Sequence, residues 1–291
     1  MNKFVNKIIL GSAQFGLPYG ITNNYKQVNY SEVKKIIEYS ESINLNFIDT
    51  ASNYGKSEEI LGSAISKNWK IISKLPQFPA NCDDVKYRIE CSAKVSLEKL
   101  KFKNIYCFMV HDISQFLENP EKNIKALNNL KEKKLSTKIG VSIYNDTDIE
   151  KVLKYFIPDV VQFPINIFDQ SILSSKKIKY MKELGIETHA RSIFLQGLLL
   201  MEKKKRNTIF SKWNNIWKDW EKWLEQNNIT NLEACLSFVS SIKSIDKFVI
   251  GVNSLDQLKL IEKTRISKNI DFSFWDKKLP KKLIKPNLWI R

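Results

Sequence analysis

The sequence predicts an α/β protein closed into a (β/α)8 barrel, the TIM-barrel architecture. Three observations carry this. Eight short β-branched runs alternate with longer helical patterns, which is how parallel βα units read in sequence. The chain has 291 residues, close to the roughly 250 that one such barrel needs. No linker, internal repeat or low-complexity segment interrupts the alternation, so residues 1–291 read as one barrel domain, with a C-terminal tail over about 272–291 lying across it. An open doubly wound sheet is the alternative.

The elements follow in order. Residues 7–13 form the first strand, and a Gly/Pro-rich loop runs on to Gly20. Ser31 is placed to cap a helix over 31–43. The second strand is 46–49 and its helix 57–66. The third strand, 70–75, is stopped by Pro76 and followed by a helix over 83–100. Strand four is 105–110 with a helix over 120–134, and strand five is 138–142 with a helix over 146–156. Pro158 leads into strand six, 160–164. Gly185 closes a helix over 176–184, before strand seven at 186–190. After a long loop come two helices, 211–226 and 231–242, then strand eight, 247–252, and a helix over 255–264. Trp213, Trp217, Trp220 and Leu224 share one helical face and are expected to pack on the barrel, with a substrate lid as the alternative.

Composition excludes some classes and leaves others open. No run approaches the ~18 apolar residues of a membrane span, and the apolar run in residues 1–11 is too short for a signal peptide, which places the protein in the cytoplasm. Cys82, Cys91, Cys107 and Cys235 show no CxxC pattern, so neither a metal site nor a redox dithiol is expected. Net charge is +16, from 47 basic and 31 acidic residues. Lysines fall on nearly every helix instead of one stripe. The default reading is a solvated lysine surface; attraction of an anionic substrate is the sharper one, and no motif supports nucleic acid. The basic run 203–206 is read in the same way, as solvated loop or as phosphate contact.

Barrel enzymes carry their chemistry at the C-terminal strand ends. Asp49, Lys74 and His111 each end an apolar run on adjacent strands, and Tyr54 follows Asp49 in the loop. Together they suit carbonyl reduction. A phenol with an ordinary pKa of about 10 is protonated at neutral pH and can donate its proton. A neighbouring ammonium would stabilise the phenolate and lower that pKa, a carboxylate would partner the ammonium, and a neutral histidine can orient the carbonyl. His189 is read as a satisfied core histidine. Tyr30 and Lys34 have the YxxxK spacing used by short-chain dehydrogenases, but the glycine spacing those enzymes need is missing, so Tyr30 is read as helix surface.

The segments Leu10-Gly-Ser-Ala-Gln-Phe-Gly16, Phe47-Ile-Asp-Thr-Ala-Ser-Asn-Tyr-Gly-Lys-Ser-Glu58 and Leu61-Gly62 resemble the aldo-keto reductases over nearly the whole chain. The resemblance implies a catalytic tetrad of Asp49, Tyr54, Lys74 and His111. It implies cofactor contacts from Ser142 in Gly140-Val-Ser142, from Gln162, and from Arg191-Ser192, where a guanidinium takes the place of a stacking aromatic. Asn166 belongs to the same strand-six pattern as Gln162. The resemblance further implies backbone contacts to the diphosphate from Gln196-Gly197, and an adenosine-phosphate subsite from Gly251, Asn253, Ser254 and Gln257 at a helix N-terminus with free N–H groups. Residues 11–20 would help wall the pocket. Departures are Ile143, where the family usually has Asn, and Leu260-Ile261, where it usually has Glu-Asn. No Arg or Lys stands in the first turn to grip a 2′-phosphate. NADPH is the family expectation, with NADH left open. The implied activity is NAD(P)H-dependent reduction of an aldehyde or ketone, a small carbonyl partner that is anionic or sugar-derived, with no nucleic acid or membrane partner. A non-catalytic, cofactor-binding sensor or accessory subunit on the same fold is the alternative.

Overall fold

In a computed structural model, residues 4–21, 26–77 and 84–289 are described. Eight parallel strands close into a barrel in sequence order: β1 (Ile8–Gly11), β2 (Phe47–Asp49), β3 (Lys70–Leu75), β4 (Ile105–Val110), β5 (Ser136–Ser142), β6 (Val160–Pro164), β7 (Glu187–Arg191) and β8 (Lys247–Gly251). The seam is a parallel β1–β8 pairing in which Leu10 faces Ile250 and Gly11 faces Gly251. The closed sheet settles the choice against an open doubly wound one.

β3, β4 and β6 have the expected bounds, while β1 is shorter than 7–13. Its flanks wind into a 3-10 turn, Val5–Lys7, and a single helical turn, Ala13–Gly16. The first long helix is Tyr30–Ser42, and its cap is Asn29 instead of Ser31: the Asn29 side chain accepts from the Glu32 amide. Tyr30 is on the surface, as expected. Two short helices, Ile113–Glu118 and Ser171–Ser174, were not expected. The helix Val85–Leu100 is capped by Asp84; the expected start at 83, Cys82 and the last two residues of the tail lie outside the described residues.

Alternating inward positions stack in layers inside the barrel. Ile9, Ile72, Cys107, Met109 and Val160 fill the middle. The N-terminal end is closed by a polar cluster. The Glu187 carboxylate accepts from Lys138 Nζ at 2.5 Å, from the Tyr106 hydroxyl at 2.5 Å and from His189 Nε2 at 2.7 Å. Burial and the bond to Glu187 push the Tyr106 phenol up to about 12. His189 is fully buried but only half satisfied, because its Nδ1 has no partner.

The tryptophan face packs as core. Trp217, Trp220 and Trp223 of the helix Asn214–Gln226 are buried with Phe168 and with Trp275 of the tail. Trp213 belongs to the preceding 3-10 segment Thr208–Trp213. The tail crosses the C-terminal mouth of the barrel. Trp275 anchors it and Lys285 Nζ pairs with Asp169 at 3.0 Å. Among the described residues, no helix is long and apolar enough to cross a membrane.

Candidate active site

The catalytic-end loops of β1 and β2 are laced together before any site side chain is considered. Ser12 Oγ donates to the Asp49 carbonyl at 2.9 Å, and Ser57 Oγ donates to Ser12 Oγ at 2.8 Å. Ser52 N and Oγ both donate to the Lys74 carbonyl, each at 3.1 Å. The turn carrying Tyr54 is closed by Tyr54 N donating to Ala51 O and by Ser57 N donating to Tyr54 O, each at 3.0 Å. Gly16 lies so close that a Cβ there would fall 1.8 Å from Tyr54 O. Gly55 has a φ of +55° against the Gly16 carbonyl, which favours a residue without a side chain.

Asp49 ends β2, Lys74 is the penultimate residue of β3, and His111 follows β4, so consecutive strands deliver them to one spot. Lys74 Nζ donates to Asp49 Oδ1 at 2.5 Å and to the Thr50 carbonyl at 3.1 Å. Both side chains are nearly inaccessible, at 1 % and 5 %. The Lys74 ammonium lies 5.3 Å from the Tyr54 ring centre. The Tyr54 and His111 rings meet edge to face with centroids 6.2 Å apart.

The electrostatics differ in one respect from expectation. Burial pushes the Tyr54 phenol well above its ordinary range; the Asp49 carboxylate adds to this and the Arg191 guanidinium opposes it. Burial outweighs the lowering expected from the Lys74 ammonium, whose charge is matched by Asp49. Tyr54 is therefore held firmly protonated. Burial lowers His111 to about 4, with the Lys74 ammonium contributing, so the imidazole is neutral at physiological pH.

These four residues occupy one end of a cleft of about 1740 Å³, larger than the roughly 300–1,000 Å³ of ordinary ligand pockets. Ser142, Gln162, Arg191 and Ser192 line its middle, together with Gln196 and Gly197. Gly251, Asn253 and Gln257 line the β8 end. Ser254 does not line the cleft; its side chain caps the helix Leu255–Lys263 by accepting from Gln257 N. Gly11 and Gly20 lie on the wall, as do Tyr19 and Gln14.

Among the described residues that line the cleft, two buried side-chain acceptors are left without a protein partner, Gln162 Oε1 and Asn253 Oδ1. Gln162 is fully buried and its Nε2 donates to Asp49 Oδ2 at 2.7 Å. A dinucleotide with a carboxamide at one end fits this pattern, because the carboxamide N–H groups can donate to Gln162 Oε1. Asn166 instead holds the loop after β6: its Oδ1 accepts from Phe168 N and Asp169 N. Segment 192–197 is wound tightly, with positive φ at Ser192, Leu195, Gln196 and Gly197. The Gln196 carbonyl accepts from Ile21 N at 3.2 Å, joining the β1 loop to the β7 loop.

Sequence reasoning missed two residues here, Tyr144 and Glu32, and the particular role of Gln14 within the expected wall. Tyr144 lies under the Arg191 guanidinium at 4.6 Å, and Arg191 Nη2 donates to the Ile143 carbonyl at 3.1 Å. Gln14 packs where a side chain on Gly251 would stand. Glu32, far away in sequence, accepts from Leu255 N at 2.7 Å, so the helix N-terminus expected to have free N–H groups is already capped by a carboxylate. The 203–206 run is not part of the lining. Arg206 folds over the Trp217 ring at 4.0 Å and reaches Glu221 at 3.4 Å, while Lys203, Lys204 and Lys205 are exposed. Among the described residues, no group of three or more His, Cys, Asp or Glu could hold a metal ion.

The structure is a closed parallel barrel with an Asp, Tyr, Lys and His gathered at its C-terminal mouth, and the family it belongs to makes it an oxidoreductase. The chain belongs to the aldo/keto reductase family, whose model matches residues 7–265. No match was found among curated proteins. Among solved structures, the chain is similar to the holo form of aldo-keto reductase AKR11C1 from Bacillus halodurans, at 17 % identity over 93 % of this chain and 92 % of that one, with a TM-score of 0.72. It is also similar to the glycerol dehydrogenase AKR11B4 from Gluconobacter oxydans, at 18 % identity over 97 % and 93 %, with a TM-score of 0.70. At these identities the structural likeness bears on the fold alone. The family and fold together support NAD(P)H-dependent carbonyl reduction in general.

Proposed function

We propose that this chain reduces an aldehyde or ketone with a nicotinamide cofactor, and that Tyr54 is the proton donor. The observation that carries the proposal is the convergence of Tyr54, Lys74, Asp49 and His111 from three strands onto one end of the cleft. When bound, the reduced nicotinamide supplies hydride to the carbonyl carbon. The chain's own residues manage the other atom. Tyr54, kept protonated by burial, donates its proton to the carbonyl oxygen. As the phenolate forms, the ammonium, 5.3 Å from the ring centre, stabilises it. Asp49 holds that ammonium in place. His111, neutral through burial, donates a hydrogen bond that aligns the carbonyl.

Gln162 and Ser142 would receive the carboxamide. Arg191 and Ser192 would flank the ring, the Gln196-Gly197 backbone would approach the diphosphate, and Gly251, Asn253 and Gln257 would border the adenosine end. Ser254 contributes only by holding the helix. NADPH is the family's usual cofactor. The substrate would be a small carbonyl compound, and the cleft volume leaves space for one as large as a sugar derivative. Arg191 and Lys281, which line the cleft, support an anionic one. A cytoplasmic location accompanies this reading.

The test is a carbonyl panel followed by nicotinamide absorbance, with NADPH and NADH in parallel. Turnover of at least one aldehyde or ketone, lost in Tyr54→Phe, is expected. Cofactor binding by tryptophan quenching with no turnover across a broad panel would instead favour a sensor or accessory subunit.

A further inference from the structure

We infer that the N-terminal mouth of the barrel, where Lys70, Lys138 and Lys247 surround the touching rings of Phe47 and Tyr106, is a second binding site, for a divalent oxyanion of the phosphate class. It is separate from the cleft and does not depend on the reductase reading.

The strands themselves place it. Alternate residues of a strand share one face. The inner columns that end in Lys74, Ser142 and Gly251 on the cleft wall therefore begin in Lys70, Lys138 and Lys247 at the other end of the barrel. Four residues of strand separate the two ends, about 13 Å. Ile9, Ile72, Cys107, Met109 and Val160 fill the space between, so an ion in the cleft does not reach the base through the barrel.

The three lysines form one group. Phe47 and Tyr106 meet edge to face with centroids 5.2 Å apart. Lys247 Nζ lies 3.8 Å and Lys70 Nζ 5.0 Å from the centre of the Phe47 ring. Lys138 Nζ lies 4.8 Å and Lys70 Nζ 5.9 Å from the centre of the Tyr106 ring. The crowding is felt at Lys247: burial lowers the pKa of its ammonium and the charges of Lys70 and Lys138 add to this, against the opposing pull of Glu187 and Asp246.

The counter-charge at the base is one carboxylate. Glu187 is held by Lys138 at 2.5 Å, and Asp246 is engaged by Lys182 at 2.7 Å. Among the described residues, Lys247 Nζ bonds the Asn6 carbonyl at 3.0 Å, and Lys70 has no side-chain hydrogen bond or ion pair. Three ammonium groups against one carboxylate leave two positive charges in surplus, with N–H donors unspent. The fully buried His189 beside Glu187 adds a ring nitrogen without a partner. A divalent oxyanion matches the surplus and accepts from several ammonium groups at once, whereas a single carboxylate would leave one charge over. Lysine binds phosphate in this way, as a point charge. The mouth is reachable from solvent: Lys70 is exposed, and the Lys138 side chain is 31 % exposed.

The experiment is isothermal titration of the full-length protein with inorganic phosphate above its second pKa, exchanged for chloride at constant ionic strength, with and without saturating NADPH. One saturable event with a dissociation constant of about 1 mM or tighter is expected, unchanged by NADPH. Lys70→Gln alters an exposed side chain, so the fold is preserved; it should weaken binding by about tenfold. Lys70→Glu, which cancels the surplus, should abolish it. Heat that does not saturate, binding that NADPH displaces, or an affinity unmoved in Lys70→Glu overturns this inference and leaves the reductase reading standing. Phosphate binding that is lost in Lys70→Glu, in a protein that binds neither NADPH nor NADH, supports the basal site and overturns the reductase reading alone.

Discussion

Replacing Lys74 by Met keeps the volume of the side chain and removes its charge. In the native site the ammonium is matched by Asp49 at 2.5 Å and lies 5.3 Å from the Tyr54 ring centre. Without it, the phenolate that forms during proton transfer faces the unpaired Asp49 carboxylate, which already raises the Tyr54 pKa. One unit charge at that distance and an effective dielectric of about 20 amounts to about 3 kcal/mol, or roughly 200-fold in rate. Loss of one partner from a buried pair also costs stability, about 3–5 kcal/mol. The assay is single-turnover hydride transfer with saturating cofactor, with near-UV circular dichroism checking that the variant is folded. A folded Lys74→Met enzyme that transfers hydride within about twofold of the wild-type rate would refute the electrostatic argument, because a charge this close to the phenol cannot be silent.

Three further outcomes follow from particular contacts. Gln162→Leu removes both the bond to Asp49 and the unpartnered acceptor in the cleft; weaker dinucleotide binding by about tenfold is expected, from one lost buried hydrogen bond, and is read by the same fluorescence titration. Gly16→Ala places a methyl against the Tyr54 carbonyl; the turn must shift, and urea unfolding should show a loss of about 1–3 kcal/mol together with a lower turnover. His111 titrates near 4 when folded, below the ordinary 6.5. The unfolded chain therefore binds a proton more readily in that window. Its contribution to stability is present above pH 6.5 and is lost as pH falls toward 4, by roughly 3 kcal/mol. Urea melts between pH 7 and 4 should show a flatter pH dependence for His111→Asn than for the wild type.

The barrel was legible in the sequence because its strands are bounded by strong signals. β3 is stopped at Pro76 and β6 follows Pro158, and these strands fall where expected. The helix cap moved from Ser31 to Asn29 because both residues are capping types, and only the Asn29 side chain reaches the Glu32 amide. The helices Ile113–Glu118 and Ser171–Ser174 span too few residues to show a 3.6-residue period. Asp49, Lys74 and His111 could be read because each ends an apolar run, so one-dimensional pattern and three-dimensional position coincide. Glu32, Gln14 and Tyr144 could not. The Glu32–Leu255 bond joins residues 223 apart, Gln14 matters only because Gly251 leaves room for it, and Tyr144 becomes a site residue through the placement of Arg191. Each depends on the closing of the barrel at the β1–β8 seam or on the loops above it, and no local signal anticipates such contacts.

The most direct measurement is the rate of hydride transfer in Tyr54→Phe, with cofactor affinity measured on the same sample. Removing one oxygen should slow the chemical step by about 10²–10⁴ and leave the dinucleotide bound as before. An unchanged rate would mean that the proton reaches the substrate by another route, and that this phenol is not the acid of the reaction.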